Sequence, residues 1–154
     1  MNQQTIAQHP RRGIKLEQGQ SVLELMLALL VLIPLLIGGI ELSRGVGIRQ
    51  ALDSGTHIAS RALSLEPGEW SWATDTIQSS LDTNILGGGS VSSPTVRIYN
   101  TSGTQITPTA LNGLPFGSQF RLEAEVTYTP DIPLVGGQTI SIRVSHWSIV
   151  ERYP

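Results

Sequence analysis

Hydrophobic positions fall along this chain in three successive patterns: an unbroken run, a helical periodicity and an alternation. From Leu25 to Ile40 the sequence reads LMLALLVLIPLLIGGI, sixteen residues without a charge or a strongly polar side chain. With Val22 and Leu23, and only Glu24 interrupting, the stretch reaches nineteen residues. That is close to the ~20 a helix needs to cross the hydrocarbon core of a bilayer. Beyond it Ile48, Leu52, Ala59 and Leu63 recur at helical spacings, while Arg49, Gln50, Asp53, Ser60 and Arg61 take the other faces. The two segments predict one long helix from about Ser21 to Leu65. Pro34 should kink or loosen it, because its ring removes an amide hydrogen bond. Gly38 and Gly39 add a smooth surface that another helix can approach closely.

Glu66-Pro67-Gly68-Glu69 breaks this helix. Trp70, Ile77, Leu81 and Ile85 then recur at spacings of seven, four and four, which predicts a second, amphipathic helix ending at Gly87-Gly88-Gly89. From Ser90 the vocabulary changes to Ser, Thr, Gly and Pro with β-branched residues, and TVRIYN, QFRLEAEVTYT and TISIRVSHW alternate as strands do. In the longest, Phe120, Leu122, Ala124, Val126 and Tyr128 share one face, and Arg121, Glu123, Glu125, Thr127 and Thr129 the other. The polar face should see solvent or partner subunits. Pro130-Asp131-Ile132-Pro133 and Gly136-Gly137 make a connection too long for a two-residue hairpin turn. The expected fold is α+β: a long N-terminal helix with an antiparallel sheet packed on its second half.

The apolar run has three readings. A secretory signal peptide would have a shorter apolar region and a small-residue cleavage site, which GGIELSRG after the run does not supply. A buried core helix this apolar on every face would need far more surrounding chain than about a hundred polar, turn-rich residues provide. A lasting membrane anchor suits both length and flanks. Arg11, Arg12 and Lys15 against Glu17 precede the run, and Glu41, Arg44 and Arg49 follow it. The basic excess before the run places the N-terminus in the cytoplasm and exports residues 45–154.

Composition narrows the function. A length of 154 residues suits one domain and an appendage and excludes a large multidomain enzyme. Ten Lys and Arg against twelve Asp and Glu leave a net charge of −2, which argues against nucleic acid as a partner. No cysteine means no disulfide, no thiolate metal ligand and no thiol nucleophile. His9, His57 and His146 have no metal-ligand companion at usual spacing. His57 lies four residues after Asp53, a spacing expected to give a solvated helix pair rather than a catalytic dyad. Trp70, Trp72 and Trp147 suit a membrane surface or a binding face, with core packing expected for Trp147. No catalytic residue, cofactor site or metal site is assigned.

Glu24 is the residue that sets this anchor apart. An acidic side chain at the centre of such a helix costs ~3 kcal/mol, and less near the interface. It either sits at the headgroup level in water or answers a purpose, such as becoming the fifth residue of a chain cut after Gly19. Arg11, Arg12, Lys15, Gly19 and Glu24 together resemble the type IV prepilin family, with its short basic leader ending in glycine before an apolar helix. The resemblance implies cleavage between Gly19 and Gln20 by a prepilin peptidase, and pairing of Glu24 with the freed Gln20 amine of a neighbouring subunit. Gln20-Ser21 and Pro34 depart from the common pilins, and GQSVLELMLALLVLIPLLIGGIELSRG looks like the TadE family of tight-adherence pilus pseudopilins.

IRQALDSGTHIASRALS resembles the helix that follows the anchor in that family, and ISIRVSHWSIVER more loosely its closing strands. The resemblance covers residues 11–65 closely and 120–152 loosely. It implies a pilin-like chain with a leader at 1–19, a transmembrane helix at 20–43, an exported helix extension at 44–65 and a small α+β domain at 66–154. Its partners would be the peptidase, other pilins or pseudopilins, the pilus assembly platform and the lipid bilayer. The alternative is an uncleaved single-pass scaffold of a pilus or secretion machine.

Overall fold

The computed structural model describes residues 14–84, 90–130 and 137–151. Helix α1 runs through Ile14–Leu65, 52 residues, with Pro34 inside it. It starts seven residues before the expected Ser21 because Lys15, Leu16, Glu17 and Gln18 are good helix formers. A single glycine such as Gly19 costs only about 1 kcal/mol and does not stop a helix. At Pro34 the backbone stays helical, although the ring leaves the Leu30 carbonyl without its usual amide donor. The chain divides into two compact units, Met1–Gly38 and Gly39–Pro154.

In the second unit, Ile48, Ala51, Leu52, Ala59 and Leu63 of α1 are buried at helical spacings. Glu66–Glu69 turns the chain into α2, Trp70–Asn84, and Pro67 is fully buried in that turn. Ala73, Ile77 and Leu81 form the buried stripe of α2. Trp70 is only partly buried, so Ala73 takes the position the expected stripe gave to it. Ile85 and Gly87-Gly88-Gly89 lie outside the described residues. The two helices meet at Gly55, where a Cβ would stand 2.9 Å from the Ser80 Cβ and 3.1 Å from the Ile77 Cα. Only a residue without a side chain fits there.

The sheet contains β1 (Ser90–Val91), β2 (Thr95–Asn100), β3 (Gln105–Ile106), β4 (Gln119–Thr129) and β5 (Ile140–Ile149), with a short helix α3 (Pro108–Asn112) between β3 and β4. All pairings are antiparallel, and β4 is central. Strand β5 covers one edge of β4, β1 and β2 share the other, and β3 extends β2. Where β1 gives way to β2, the Thr127 amide donates to Ser92 Oγ at 2.9 Å and the Ser92 amide donates to the Thr127 carbonyl at 2.9 Å.

The inner face of β4 is the expected one: Phe120, Leu122, Ala124, Val126 and Tyr128 are all buried, and they join the stripes of α1 and α2 in one hydrophobic cluster. The last strand is fastened to the end of α1. Ser64 Oγ donates to the Ile149 carbonyl, and the Glu151 amide donates to the Ser64 carbonyl at 2.7 Å.

Three expectations change. Trp147 is 57% exposed rather than packed in the core; its register opposite Arg121 places it on the outer face of the sheet. Asp53 pairs with His146 of β5, Oδ1 to Nε2 at 3.0 Å, and not with His57. The His57 ring instead lies edge-on to His146 at 5.4 Å between centroids. Glu123, on the polar face of β4, is buried, because Arg97 and Arg143 close over it from both neighbouring strands.

Candidate functional site

The candidate site begins where α1 carries Gly19, Gln20 and Glu24. All three are exposed, and Gln20 and Glu24, four residues apart, lie on one face of the helix. Arg11 and Arg12 lie outside the described residues; of Lys15 only the helical backbone is described. Every side chain from Ser21 to Leu36 is exposed, including Leu23, Leu25, Met26, Leu30 and Leu35. An exposed Leu or Ile forgoes about 1.5–3 kcal/mol of burial. Such a wall is stable only against lipid or other helices. The helix is long and apolar enough to cross a membrane, and its most apolar stretch is covered by none of the protein. Glu24 sits within that wall, between Leu23 and Leu25. No atom approaches within 4 Å of where a Cβ would stand on Gly38 or Gly39, which leaves open the smooth surface expected there.

Within the second unit, α1 carries a buried polar cluster around Glu41, which the sequence presents only as flanking charge. Glu41 is buried; it accepts a hydrogen bond from the Tyr128 hydroxyl and one from Arg44 Nη1 at 2.8 Å. Burial, then the hydrogen bond to Glu41, push the Tyr128 phenol up to about 12. The signal available in the sequence was Tyr128 itself, a hydroxyl closing the buried face of β4, which needs a partner when covered.

The outer face of the sheet carries a charge network. Glu125 accepts from Ser141 Oγ at 2.6 Å, Arg97 Nη1 at 2.8 Å and Arg143 Nη2 at 3.2 Å. These three bonds, that of Ser141 the largest, hold its carboxyl down at about 2. Among the described residues no group of three or more His, Cys, Asp or Glu is placed to hold a metal ion.

Residues 19–61 match the model of a family described as TadE-like protein. The match spans 43 of the chain's 154 residues. No curated protein and no solved structure matches the chain. The matched segment opens on Gly19 and takes in Glu24, Pro34, Gly38, Gly39 and Glu41 before ending at Arg61. It therefore covers the exposed apolar wall, Glu41 and most of the α1 stripe that builds the core of the second unit. The strands, including residues 120–152, lie outside the match. This match and the one long apolar N-terminal helix together fit a membrane-anchored protein.

Proposed function

We propose that this protein is a TadE-like pseudopilin, a structural subunit rather than an enzyme. In this reading a prepilin peptidase removes residues 1–19, the segment 20–43 holds the mature chain in the cytoplasmic membrane with its N-terminus inside, and residues 44–154 are exported. Cleavage would take three bases, Arg11, Arg12 and Lys15, and one acid, Glu17, from the ten and twelve of the full chain, leaving seven against eleven. Mature helices then pack side by side, Gly38 and Gly39 permitting close approach, in contact with other pilins or pseudopilins and the assembly platform. Pairing of Glu24 with the Gln20 amine of a neighbour relieves the cost of a carboxylate in lipid.

One observation supports this reading most: an acidic side chain stands in a wall of exposed apolar residues, five positions after the glycine that opens the TadE-like segment. A buried charge without a partner would be selected against, whereas a charge whose partner arrives with the next subunit makes packing register-specific. Glu24→Ala tests it directly. The variant should still lose residues 1–19 in cells that possess the peptidase, yet fail to enter the assembly; unaltered incorporation would remove the pairing role.

The continuity of α1 from Ile14 through Gly19 favours a second reading, an uncleaved single-pass scaffold of a pilus or secretion machine. A peptidase acts on extended backbone, so in the processed reading the first turns must unwind locally, which Gly19 eases.

A further inference from the structure

On the outer face of the sheet, β2, β4 and β5 set Tyr99, Arg121 and Trp147 in one row. The Arg121 guanidinium carbon lies 4.8 Å from the Tyr99 ring centroid and 5.6 Å from that of Trp147, so cation–π attraction to two rings holds it. Its Nε is buried without a hydrogen-bond partner. Arg121 forms no ion pair among the described residues, whereas Arg97 and Arg143 in the neighbouring rows share Glu123 and Glu125. One fixed, uncompensated cation therefore stands beside the exposed Trp147 and Ile149. Trp, Tyr and Arg are the residue types that carry most of the binding energy at protein interfaces. The complement such a face needs is a carboxylate beside an apolar side chain.

That complement exists on the helical side of the same unit. From Ala62 to Val96 the sequence holds no Lys, Arg or His and carries Glu66, Glu69, Asp75 and Asp82, all four exposed. Leu65 and Trp72 are exposed among them and line a shallow depression with Ala62, Glu66 and Glu69. Helices α1 and α2 pack on the inner face of the sheet, so this acidic, aromatic surface and the Arg121 row are directed away from each other.

We infer that the outer sheet face seats the α2 side of a second copy of this chain, with Arg121 meeting a carboxylate of that copy and Trp147 its exposed apolar side chains. A symmetric sheet-to-sheet contact would offer Arg121 only Glu123 and Glu125, which Arg97 and Arg143 already hold. Unlike surfaces therefore meet, and a heterologous contact of this kind repeats from copy to copy. Neither cleavage after Gly19 nor the pairing of Glu24 enters into it, so it stands or falls apart from the pseudopilin reading.

The chain contains no cysteine, which makes cross-linking clean. Ser79→Cys on α2 and Ser145→Cys on β5, both at exposed positions, are placed in separate full-length chains, produced together in the membrane and treated with a short bismaleimide. A cross-linked dimer is expected from the mixture and from neither variant alone. Adding Arg121→Glu to the Ser145→Cys chain should abolish the dimer. Changing Asp75 and Asp82 to Arg in the other chain should restore it, which also shows that the Arg121→Glu chain is folded. No dimer from the mixture, a dimer from Ser145→Cys alone, or a dimer indifferent to Arg121→Glu would overturn the proposed contact.

Discussion

Removing the Tyr128 hydroxyl leaves the Glu41 carboxylate to Arg44 alone, in a place where water cannot replace the lost donor. Tyr128→Phe is therefore expected to destabilise the folded protein by about 1–3 kcal/mol, the range for stranding a buried polar partner, read as a fall in the thermal midpoint of the detergent-solubilised protein. No change would mean that Arg44 satisfies the carboxylate by itself. Glu125 makes the stability depend on pH. Its folded-state value of about 2 lies below the ordinary 4.5, so its contribution is present above pH 4.5 and disappears as the pH falls from there through 2. Thermal midpoints measured across that interval should fall more steeply for the natural chain than for Glu125→Gln; parallel curves would deny Glu125 a part in acid sensitivity. The alternation of β4 placed both residues on the right faces. It could not show that Glu123 is covered, because that burial depends on Arg97 and Arg143 arriving from strands that only the register brings alongside.

Among the elements, the α1–α2 crossing depends most on a single side chain, the one Gly55 lacks. Gly55→Ala would force its Cβ into the Ser80 Cβ and the Ile77 backbone. Overpacking of this kind costs typically about 1–3 kcal/mol, and the helix propensity gained by replacing glycine, about 1 kcal/mol, offsets part of it. A net loss of chemical-denaturation stability is expected, and a gain would mean that the helices can move apart freely. Long elements were legible in the sequence because many positions repeat one period: α1, α2, β2, β4 and β5 all follow from spacing. Strands β1 and β3, at two residues each, are too short to show any period. Helix α3 has five residues, and its signature is chemical: Thr107 caps it, with Oγ1 accepting from the Ala110 amide at 3.2 Å, and Pro108 follows in the first turn. At Trp147 alternation overrides residue type: two positions from Ser145 and opposite Arg121, the ring falls on the outer face.

For the whole molecule, the apolar wall from Val22 to Leu36 requires lipid or neighbouring helices, while the second unit holds a core of its own, drawn from Ile48 to Val150. The sequence revealed the wall and Glu24 plainly, since an unbroken apolar run with one acid is a feature of composition. It did not reveal the Glu41–Tyr128 hydrogen bond, which joins residues 87 positions apart, or the Asp53–His146 pair, 93 apart. Such contacts come from topology and leave no local pattern. The central claim is that Gly19 is the last residue of a removable leader and that Glu24 becomes the fifth residue of the working chain. Intact-mass spectrometry of the protein purified from the membranes of cells that possess a prepilin peptidase tests this most directly. The account predicts a mature chain beginning at Gln20, with residues 1–19 absent. A full-length chain that retains Arg11, Arg12 and Lys15 in those cells would contradict it and leave the single-pass scaffold as the better reading.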